Sequence, residues 1–537
     1  MFFRSLFISL STIFFILMAF NVHENIERKR KINVILITAE SLRNDMVTHE
    51  NCPHLLQAAA QGLRFSNYRA NSAWTGSSIV SLLSGVSPFE SGVHTRGQSV
   101  EPETYLPLEQ LVEAGYTVNG LQPFMAMDIY QNLGVSLDSH SPDPLLWLAR
   151  QQLDENPFFL WYHYVHTHLP YTRGAVHKDP SRLDLSPQLL AITRDTAIHA
   201  EEGSFQKEDI ELIHKLHQAN IQEFDRWFST LYEFYTSGGF SRNTILIVTA
   251  DHGDEHGERG MVGHASTTLE GHLHEEIVRV PFFIWLPESL QSLELDGLDL
   301  GRPVSHVDVM PTLMNLLDIR PEYKLQGKNF LSSRNKDQVW TAMTSSGGFA
   351  EPDSAAIRYF EYSLLENNWK IRLRQYSTGL AEELYLYDLG SDPGEENNLA
   401  SQYPDRARAL QKRLEEQITT RKVFPGRMGE RSVNTGGDIP KWVYPSSSNQ
   451  FTYDSLDGRF YLEWSGAPER SYLLEYSAGH GAKVIQGSLK VDGNRKDFGN
   501  ISQIYWNTWI VPNNPFSIRV KEVGGDFGPW LELEALP

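Results

Sequence analysis

Five short, nearly unbroken apolar runs constrain the fold of this chain more than any other feature. They are Asn33–Thr38 (NVILIT), Tyr116–Leu121, Phe158–Val165, Thr244–Thr249 (TILIVT) and Pro281–Leu286 (PFFIWL). A strand with one wet face alternates apolar and polar residues, so runs that are apolar on both faces belong to a sheet covered by helices on each side, the environment of parallel sheets. Between them Ile221, Phe224, Phe228 and Leu231 recur at helical spacing, and Gly238 and Gly239 end the pattern. The expected core is therefore α/β, a doubly wound and mainly parallel sheet flanked by helices, over residues 32–320, with residues 321–430 as a further subdomain. Ligands of such sheets bind beyond the carboxyl ends of the strands.

Ionisable residues gather at those ends. Glu40 follows the first run in TAESLRND, His166 and His168 follow the third in YVHTHLPY, and Asp251 and His252 follow the fourth in TADHGDEHGERGMVGH, which ends at His264. A fourth place is the polar turn Trp74-Thr75-Gly76, which opens the apolar helix of SAWTGSSIVSLLSG. One such motif would carry little, because an acidic residue after a strand is ordinarily a helix cap and a lone histidine ordinarily a packed one. The four together point to a metal-assisted active site. Cys52 is the only cysteine, which excludes an internal disulfide and a CxxC zinc site and leaves His, Asp and Glu to hold any metal. A net charge of −20 argues against a nucleic-acid backbone as partner.

In this order the motifs resemble the sulfatase-like branch of the alkaline phosphatase superfamily, over about Lys31–Lys422. NVILITAESLRND is similar to that family's first metal-ligand turn, Cys52–Val93 to its nucleophile segment, FFLWYHYVHTHLPY to its substrate-histidine strand and TILIVTADHGDEHG to its second metal-ligand turn. SHVDVMPTLMNLLDI and YDLGSDPGEENNLA resemble its closing motifs. Conventional sulfatases convert a Cys or Ser within C/S-x-P-x-R to formylglycine. Here Thr75 holds that position, Ser77 replaces the Pro and Ile79 the Arg. Thr75 with Glu40, Asp251 and His252 resembles instead the threonine-nucleophile branch of phosphodiesterases, phosphonate hydrolases, lipoteichoic acid synthase and phosphoethanolamine transferases.

That resemblance implies one divalent metal held by Glu40, Thr75, Asp251 and His252. The mixture of oxygen and imidazole donors favours Zn²⁺ or Mn²⁺, with Ca²⁺ or Mg²⁺ left open. A cation on the Thr75 oxygen would lower its pKa and orient it. His168, His264 and His166 are the candidates for holding the anionic ester. His166 and His168 would share one face of a strand and, with His264, are an alternative set for a second metal. The expected function is hydrolysis of phosphate esters, diesters first, through Thr75. The alternatives are sulfate-ester hydrolysis without formylglycine and transfer of a phosphoglycerol or phosphoethanolamine group. His256, His272 and His274 are expected in surface loops. Arg43 with Asp45, and His306 with Asp308, are expected to be structural.

Two flanks complete the reading. Leu6–Phe20 is an apolar run preceded by Arg4 and followed by a basic linker to Lys31, expected to be a membrane anchor or a cleaved signal segment that places the enzyme outside the cytoplasm, at a cell surface or in a periplasm, or secretes it. After a Gly/Ser/Pro-rich approach, residues 445–537 carry alternating strands, expected to form a β-sandwich-like accessory domain able to contact a polymer or carbohydrate.

Overall fold

The structure, a computed structural model, describes residues 32–535 apart from segments of which the longest are 122–132, 172–204, 347–358, 420–439 and 501–515. The anchor expected at Leu6–Phe20 lies outside the described residues. Among the described residues no helix is long and apolar enough to cross a membrane.

Seven strands form the central sheet: β1 (Asn33–Ala39), β2 (Leu63–Arg64), β3 (Thr117–Leu121), β4 (Ser136–Leu137), β5 (Phe158–Tyr164), β6 (Thr244–Ala250) and β7 (Phe282–Trp285). Their order is β2-β7-β6-β1-β5-β3-β4. β1 sits in the middle, parallel to both neighbours, with Val34 opposite Phe159 on one side and Ile245 on the other. β7 runs antiparallel to β6, and β2 antiparallel to β7. Every residue of β1, β5 and β6 is buried, which is the physical reason those runs carry almost no polar residues.

Two helices matter for the site. α1 (Thr75–Ser84) is buried along its whole length and ends at Gly85, whose φ of 71° is the left-handed conformation that lets the chain turn away. α2 (Lys207–Ser237) presents Ile221, Phe224, Phe228 and Leu231, all fully buried, to the core, and stops before Gly239 at φ 79°.

The chain then forms a four-stranded antiparallel sheet, β8 (Trp340–Ser345), β9 (Tyr359–Glu366), β10 (Trp369–Tyr376) and β11 (Glu383–Asp388), in sequential order. Apolar side chains of the helix α3 (Pro404–Thr419) pack against this sheet. The edge strand β8 braces the segment leading into α1. Met343 N donates to Asn71 O (3.0 Å), Trp340 Nε1 to Ala70 O (2.9 Å) and Trp74 Nε1 to Ser345 O (3.2 Å). A buried charge network welds the same sheet to the main core. Lys370 Nζ lies 2.9 Å from Glu275 Oε1 and 3.2 Å from Glu395, Arg69 grips Glu275 with two nitrogens at 3.1 and 2.7 Å, and Arg372 and Arg374 hold Glu361.

The C-terminal strands form a three-stranded and a five-stranded sheet. Leu462 and Trp464 of the first share one core with Tyr472, Leu474, Val520 and Leu531 of the second, as in a sandwich. Trp464 is fully buried whereas Trp530 is 45% exposed. Trp506 and Trp509 lie outside the described residues.

Candidate active site

Three chain segments converge beyond the carboxyl ends of β1, β5 and β6. Glu40 follows β1 directly, and its N–H donates to Tyr164 O at the end of β5 (2.9 Å). Ser41 adopts φ 59°, a left-handed conformation that costs a non-glycine residue about 1 kcal/mol; it turns the Ser41 N–H onto Asp251 Oδ1 (3.0 Å), which also accepts from His252 N (2.9 Å). The turn after β6 is therefore tied to the turn after β1. Gly253 is required there: a Cβ would meet Glu276 O at 2.0 Å. Arg43 closes the first turn, with Nε and Nη2 on the two Asp45 oxygens at 3.0 and 2.8 Å, which is the structural pair expected.

Thr75 is the first residue of α1. Its hydroxyl lies 3.3 Å from Glu40 Oε1 and 3.1 Å from His252 Nε2, and His252 Nε2 lies 3.3 Å from Asp251 Oδ2. These four side chains are the set expected to hold the metal, and the fold brings them together. Two donors on a tetrahedral Zn²⁺ with bonds of ~2.0–2.1 Å stand about 3.3 Å apart, so the spacing suits one cation among them. Asp251 Oδ2 is buried and accepts no hydrogen bond from the described residues, leaving a carboxylate oxygen beside His252 Nε2 without a donor among them. His252 Nδ1 faces Gly253 O at 3.0 Å, so with its proton there the ring offers the Nε2 lone pair to the site. The donors present fit a divalent metal.

α1 adds a second feature. Its N-cap, Trp74, contributes no side-chain cap, so the first N–H groups of a buried helix stay available beside Thr75 for an anion. Ser78 Oγ holds the helix in place by donating to Asp251 O (2.5 Å). His306 contacts Ser78 Oγ through Nδ1 and Ala250 O through Nε2, both at 3.0 Å. Asp308 accepts from Ser305 N and Lys328 N, so both residues are structural, as expected.

The histidines depart from the sequence reading. His163, inside β5, is the one that reaches Glu40, with Nε2 3.1 Å from Oε2, while its Nδ1 lies 2.7 Å from Thr38 Oγ1. His168 Nε2 lies 3.8 Å from Glu40 Oε1, and its ring stands 5.1 Å from that of His264, which is 4.1 Å from that of His252. His166 does not share their face. β5 ends at Tyr164, Val165–Thr167 form one 3₁₀ turn, and the alternation expected of a strand is lost, so the His166 ring packs edge-on against Tyr164 at 5.3 Å. Among the described residues the groups with metal-ligating spacing at the site are Glu40, His163 and Asp251, and His252, Asp254 and His264, rather than His166, His168 and His264. His256, His272 and His274 are buried, not in surface loops, because carboxylates come to meet two of them: Glu255 lies 3.0 Å from His272 Nε2 and Glu395 3.5 Å from His274 Nδ1.

Electrostatics sort these residues by role. Burial works to raise the Glu40 pKa, but His168 and His163 outweigh it and hold the carboxyl at about 2. His163 and His168 are raised in return: burial opposes their charge and Glu40 restores it. Burial and the neighbouring His252 push His264 down to about 4, so it is neutral at pH 7. Its Nδ1 lies 2.7 Å from Asp254 Oδ1, whose other oxygen accepts from Tyr171 Oη at 2.8 Å. With its proton on Nδ1, His264 turns an Nε2 lone pair to the site, which suits a cation better than the anionic ester it was expected to hold.

Comparison with known proteins places this arrangement. The family model described as Sulfatase matches residues 32–319, more than half of the chain. The chain belongs to the sulfatase family. A second model, described as N-sulphoglucosamine sulphohydrolase, C-terminal, matches residues 270–423, the region of β8–β11 and α3. Arylsulfatase K of Bos taurus is 26% identical over 225 residues, 41% of this chain and 39% of the relative. The uncharacterized sulfatase YidJ of Escherichia coli is 27% identical over 164 residues, 29% of this chain and 28% of the relative. The chain thus matches only some two fifths or less of the length of these curated relatives. Among solved structures, a putative sulfatase yidJ from Bacteroides fragilis aligns with a TM-score of 0.55 at 16% identity, covering 72% of this chain and 95% of that one. A phosphonate monoester hydrolase of Agrobacterium radiobacter does so at 0.55 and 18%, covering 72% and 96%. Both share the fold, and sulfatase-family enzymes are hydrolases of ester bonds that bind a divalent metal.

Proposed function

We propose that this chain is a metal-dependent hydrolase of sulfate esters that uses Thr75 as its nucleophile. Family membership supports the sulfate ester. The observation that supports the nucleophile is the Thr75 hydroxyl, held between Glu40 and His252 at the uncapped start of α1. Glu40, Thr75, Asp251 and His252 would hold the metal, Zn²⁺ or Mn²⁺ for preference, which when bound would lower the pKa of the threonine hydroxyl and polarise the ester. Having given its proton to solvent before the ester is bound, Thr75 Oγ attacks sulfur while the bond from sulfur to the alcohol oxygen breaks opposite it. The departing oxygen takes a proton from His168, whose pKa is lowered by burial but raised overall by the facing Glu40 carboxylate. Water then attacks the sulfur of the threonine ester, giving its proton back to His168, and sulfate leaves as Thr75 is restored. The N–H groups at the start of α1 stabilise the equatorial oxygens throughout.

A second reading, hydrolysis of phosphate diesters, is favoured by Thr75 standing where conventional sulfatases carry the formylglycine precursor, with Ser77 and Ile79 in the accompanying positions. Sulfate monoesters and phosphate diesters are both monoanions, so a site that accepts one can accept the other, whereas a phosphate monoester brings a second negative charge. Purified protein of known metal content is assayed on 4-nitrophenyl sulfate, bis-4-nitrophenyl phosphate and 4-nitrophenyl phosphate. The highest kcat/KM is expected on the sulfate and the lowest on the phosphate monoester. A diester preference puts the second reading first, and inertness toward all three at full metal occupancy removes both. The apolar run Leu6–Phe20 supports an anchored or exported enzyme, and residues 445–537, with Trp530 exposed, are proposed as an accessory module for a carbohydrate or other polymer.

A further inference from the structure

A second group of potential ligands lies outside the catalytic cluster, where α2 meets the turn after β6. His214 and His217 stand three residues apart on α2 and so share one face of the helix. His256 lies in the short strand Glu255–His256, and Glu258 follows in the turn. The two elements approach closely at Gly257, where a Cβ would meet Ile210 of α2 at 3.1 Å.

Three imidazoles meet there beside Glu258, whose Oε2 accepts from His256 N (2.6 Å) and whose Oε1 lies 3.9 Å from His214 Nε2. His256 Nδ1 lies 3.2 Å from His214 Nδ1, and His256 Nε2 lies 2.7 Å from His217 Nδ1. His214, His256 and Glu258 each offer a ligand atom within 4.8 Å of the other two. A gap of 3.2 Å between two nitrogens matches the edge of a tetrahedral Zn²⁺ site, about 3.3 Å for bonds of ~2.0–2.1 Å. His217 supplies the outer partner that a metal-bound histidine needs, accepting the proton of His256 Nε2 and leaving the Nδ1 lone pair toward His214. Arg43 pairs with Asp45 and with Glu258, so the one guanidinium beside the cluster is balanced by two carboxylates. All three histidines are biased toward the neutral form, burial being the main cause in each. His256 is fully buried, while the side chains of His214 and Glu258 are 34% and 23% exposed, which gives a metal a route in from solvent.

We propose that His214, His256 and Glu258 form a structural site for a divalent transition metal of the Zn²⁺ class, tying α2 to the turn that carries Asp251, His252 and Asp254. Two imidazoles and a carboxylate leave a fourth position to water. The site is separate from the catalytic cluster, and its presence does not depend on which ester the enzyme cleaves.

The test is zinc stoichiometry on the full chain. Protein stripped with a chelator is dialysed against Zn²⁺ alone and its metal counted, for the unaltered chain, His214→Ala and His214→Cys. The alanine variant should bind one zinc fewer per chain and the cysteine variant, whose thiolate is also a zinc ligand, should match the unaltered protein. Equal zinc in the alanine variant and the unaltered chain overturns the proposal. A second measurement needs no substitution. Diethylpyrocarbonate should modify His214 in stripped protein, and zinc should protect it at least tenfold, read by mass spectrometry of the peptide containing it. Modification at the same rate with and without zinc overturns the site by itself.

Discussion

Replacing Thr75 by valine separates the chemistry of the hydroxyl from its contribution to folding. Thr75 is 7% exposed, and its hydroxyl makes two contacts, to Glu40 Oε1 at 3.3 Å and His252 Nε2 at 3.1 Å. Glu40 keeps His163 at 3.1 Å after the exchange, and His252 keeps Gly253 O, so neither partner is stranded. Valine fills nearly the same volume, and losing one hydrogen bond of this length should cost about 1 kcal/mol of stability. The chemical loss is of another order. Removing the nucleophile of an enzyme that works through a covalent intermediate lowers turnover by ~10³–10⁶-fold, about 4–8 kcal/mol at 1.36 kcal/mol per decade. Stopped assays on the best substrate of the aryl-ester panel, with metal content and thermal midpoint measured on the same sample, give all three quantities. Acid-quenched enzyme should also carry the transferred group on the peptide containing Thr75, and Thr75→Ser should retain part of the activity. A folded Thr75→Val protein with turnover within tenfold of the unaltered enzyme would show that water attacks the ester directly, and the covalent scheme would fall.

Asp251→Ala removes a charge and a ligand together, so metal at the catalytic cluster should be lost while circular dichroism stays unchanged; full occupancy measured by atomic emission would refute the ligand set. Lys370→Met leaves Glu275 and Glu395 facing each other in the interior without their shared cation. Breaking one side of a buried pair costs ~3–5 kcal/mol, so the urea midpoint should fall clearly, and an unchanged midpoint would mean the network carries no stability. Acid should weaken the metal-free protein above the usual carboxylate range. Burial holds His217 and His264 at about 4 and His272 and His306 at about 3, so the unfolded chain takes up protons below 6.5 that the folded chain refuses. Their contribution is complete above pH 6.5 and is lost as pH falls from there toward 4 for His217 and His264 and toward 3 for His272 and His306. His163 and His168, and Glu255, whose carboxyl burial pushes up to about 7, run the other way but are outnumbered. A urea midpoint that stays flat between pH 7 and 5 would contradict this.

What the sequence makes legible here depends on whether a residue's environment is set by its neighbours in the chain. β1, β5 and β6 are readable because burial on both faces removes polar residues from the run itself, and α2 because its buried stripe recurs at helical spacing. The candidate site is readable because each of Glu40, Thr75, Asp251 and His252 stands at the end of such a run or at the opening of α1. His163 is not, since its role comes from the pairing of Thr38 with His163 across parallel strands, a register that no single run reveals. Asp254 escapes in part for a similar reason: one partner, Tyr171, lies 83 positions away, although the other, His264, is only 10 positions on. The buried His256, His272 and His274 look like loop residues because their polarity is compensated from elsewhere, by His214 and His217 from α2, by Glu255 and by Glu395. Lys370 pairs with Glu275 across 95 positions.

The helix that opens with Thr75, the proposed nucleophile, explains why position 75 cannot be judged alone. In the formylglycine motif an arginine stands four residues after the modified one, and here that place is Ile79, fully buried in the main hydrophobic core beside Val80, Leu82 and Leu83. An arginine at 79 would bring a guanidinium into this apolar packing, and an unpaired buried charge costs several kcal/mol or forces the helix aside. Ser77 is likewise buried, with a hydroxyl that has no hydrogen-bond partner among the described residues. Thr75→Cys alone, or with Ser77→Pro and Ile79→Arg added in the presence of a formylglycine-generating enzyme, should therefore yield no aldehyde-dependent sulfatase. The single change leaves the recognition motif incomplete, and the triple change disrupts α1. Aldehyde at residue 75 in a folded, active triple variant, detected by hydrazide labelling, would show that the helix accommodates the other chemistry after all.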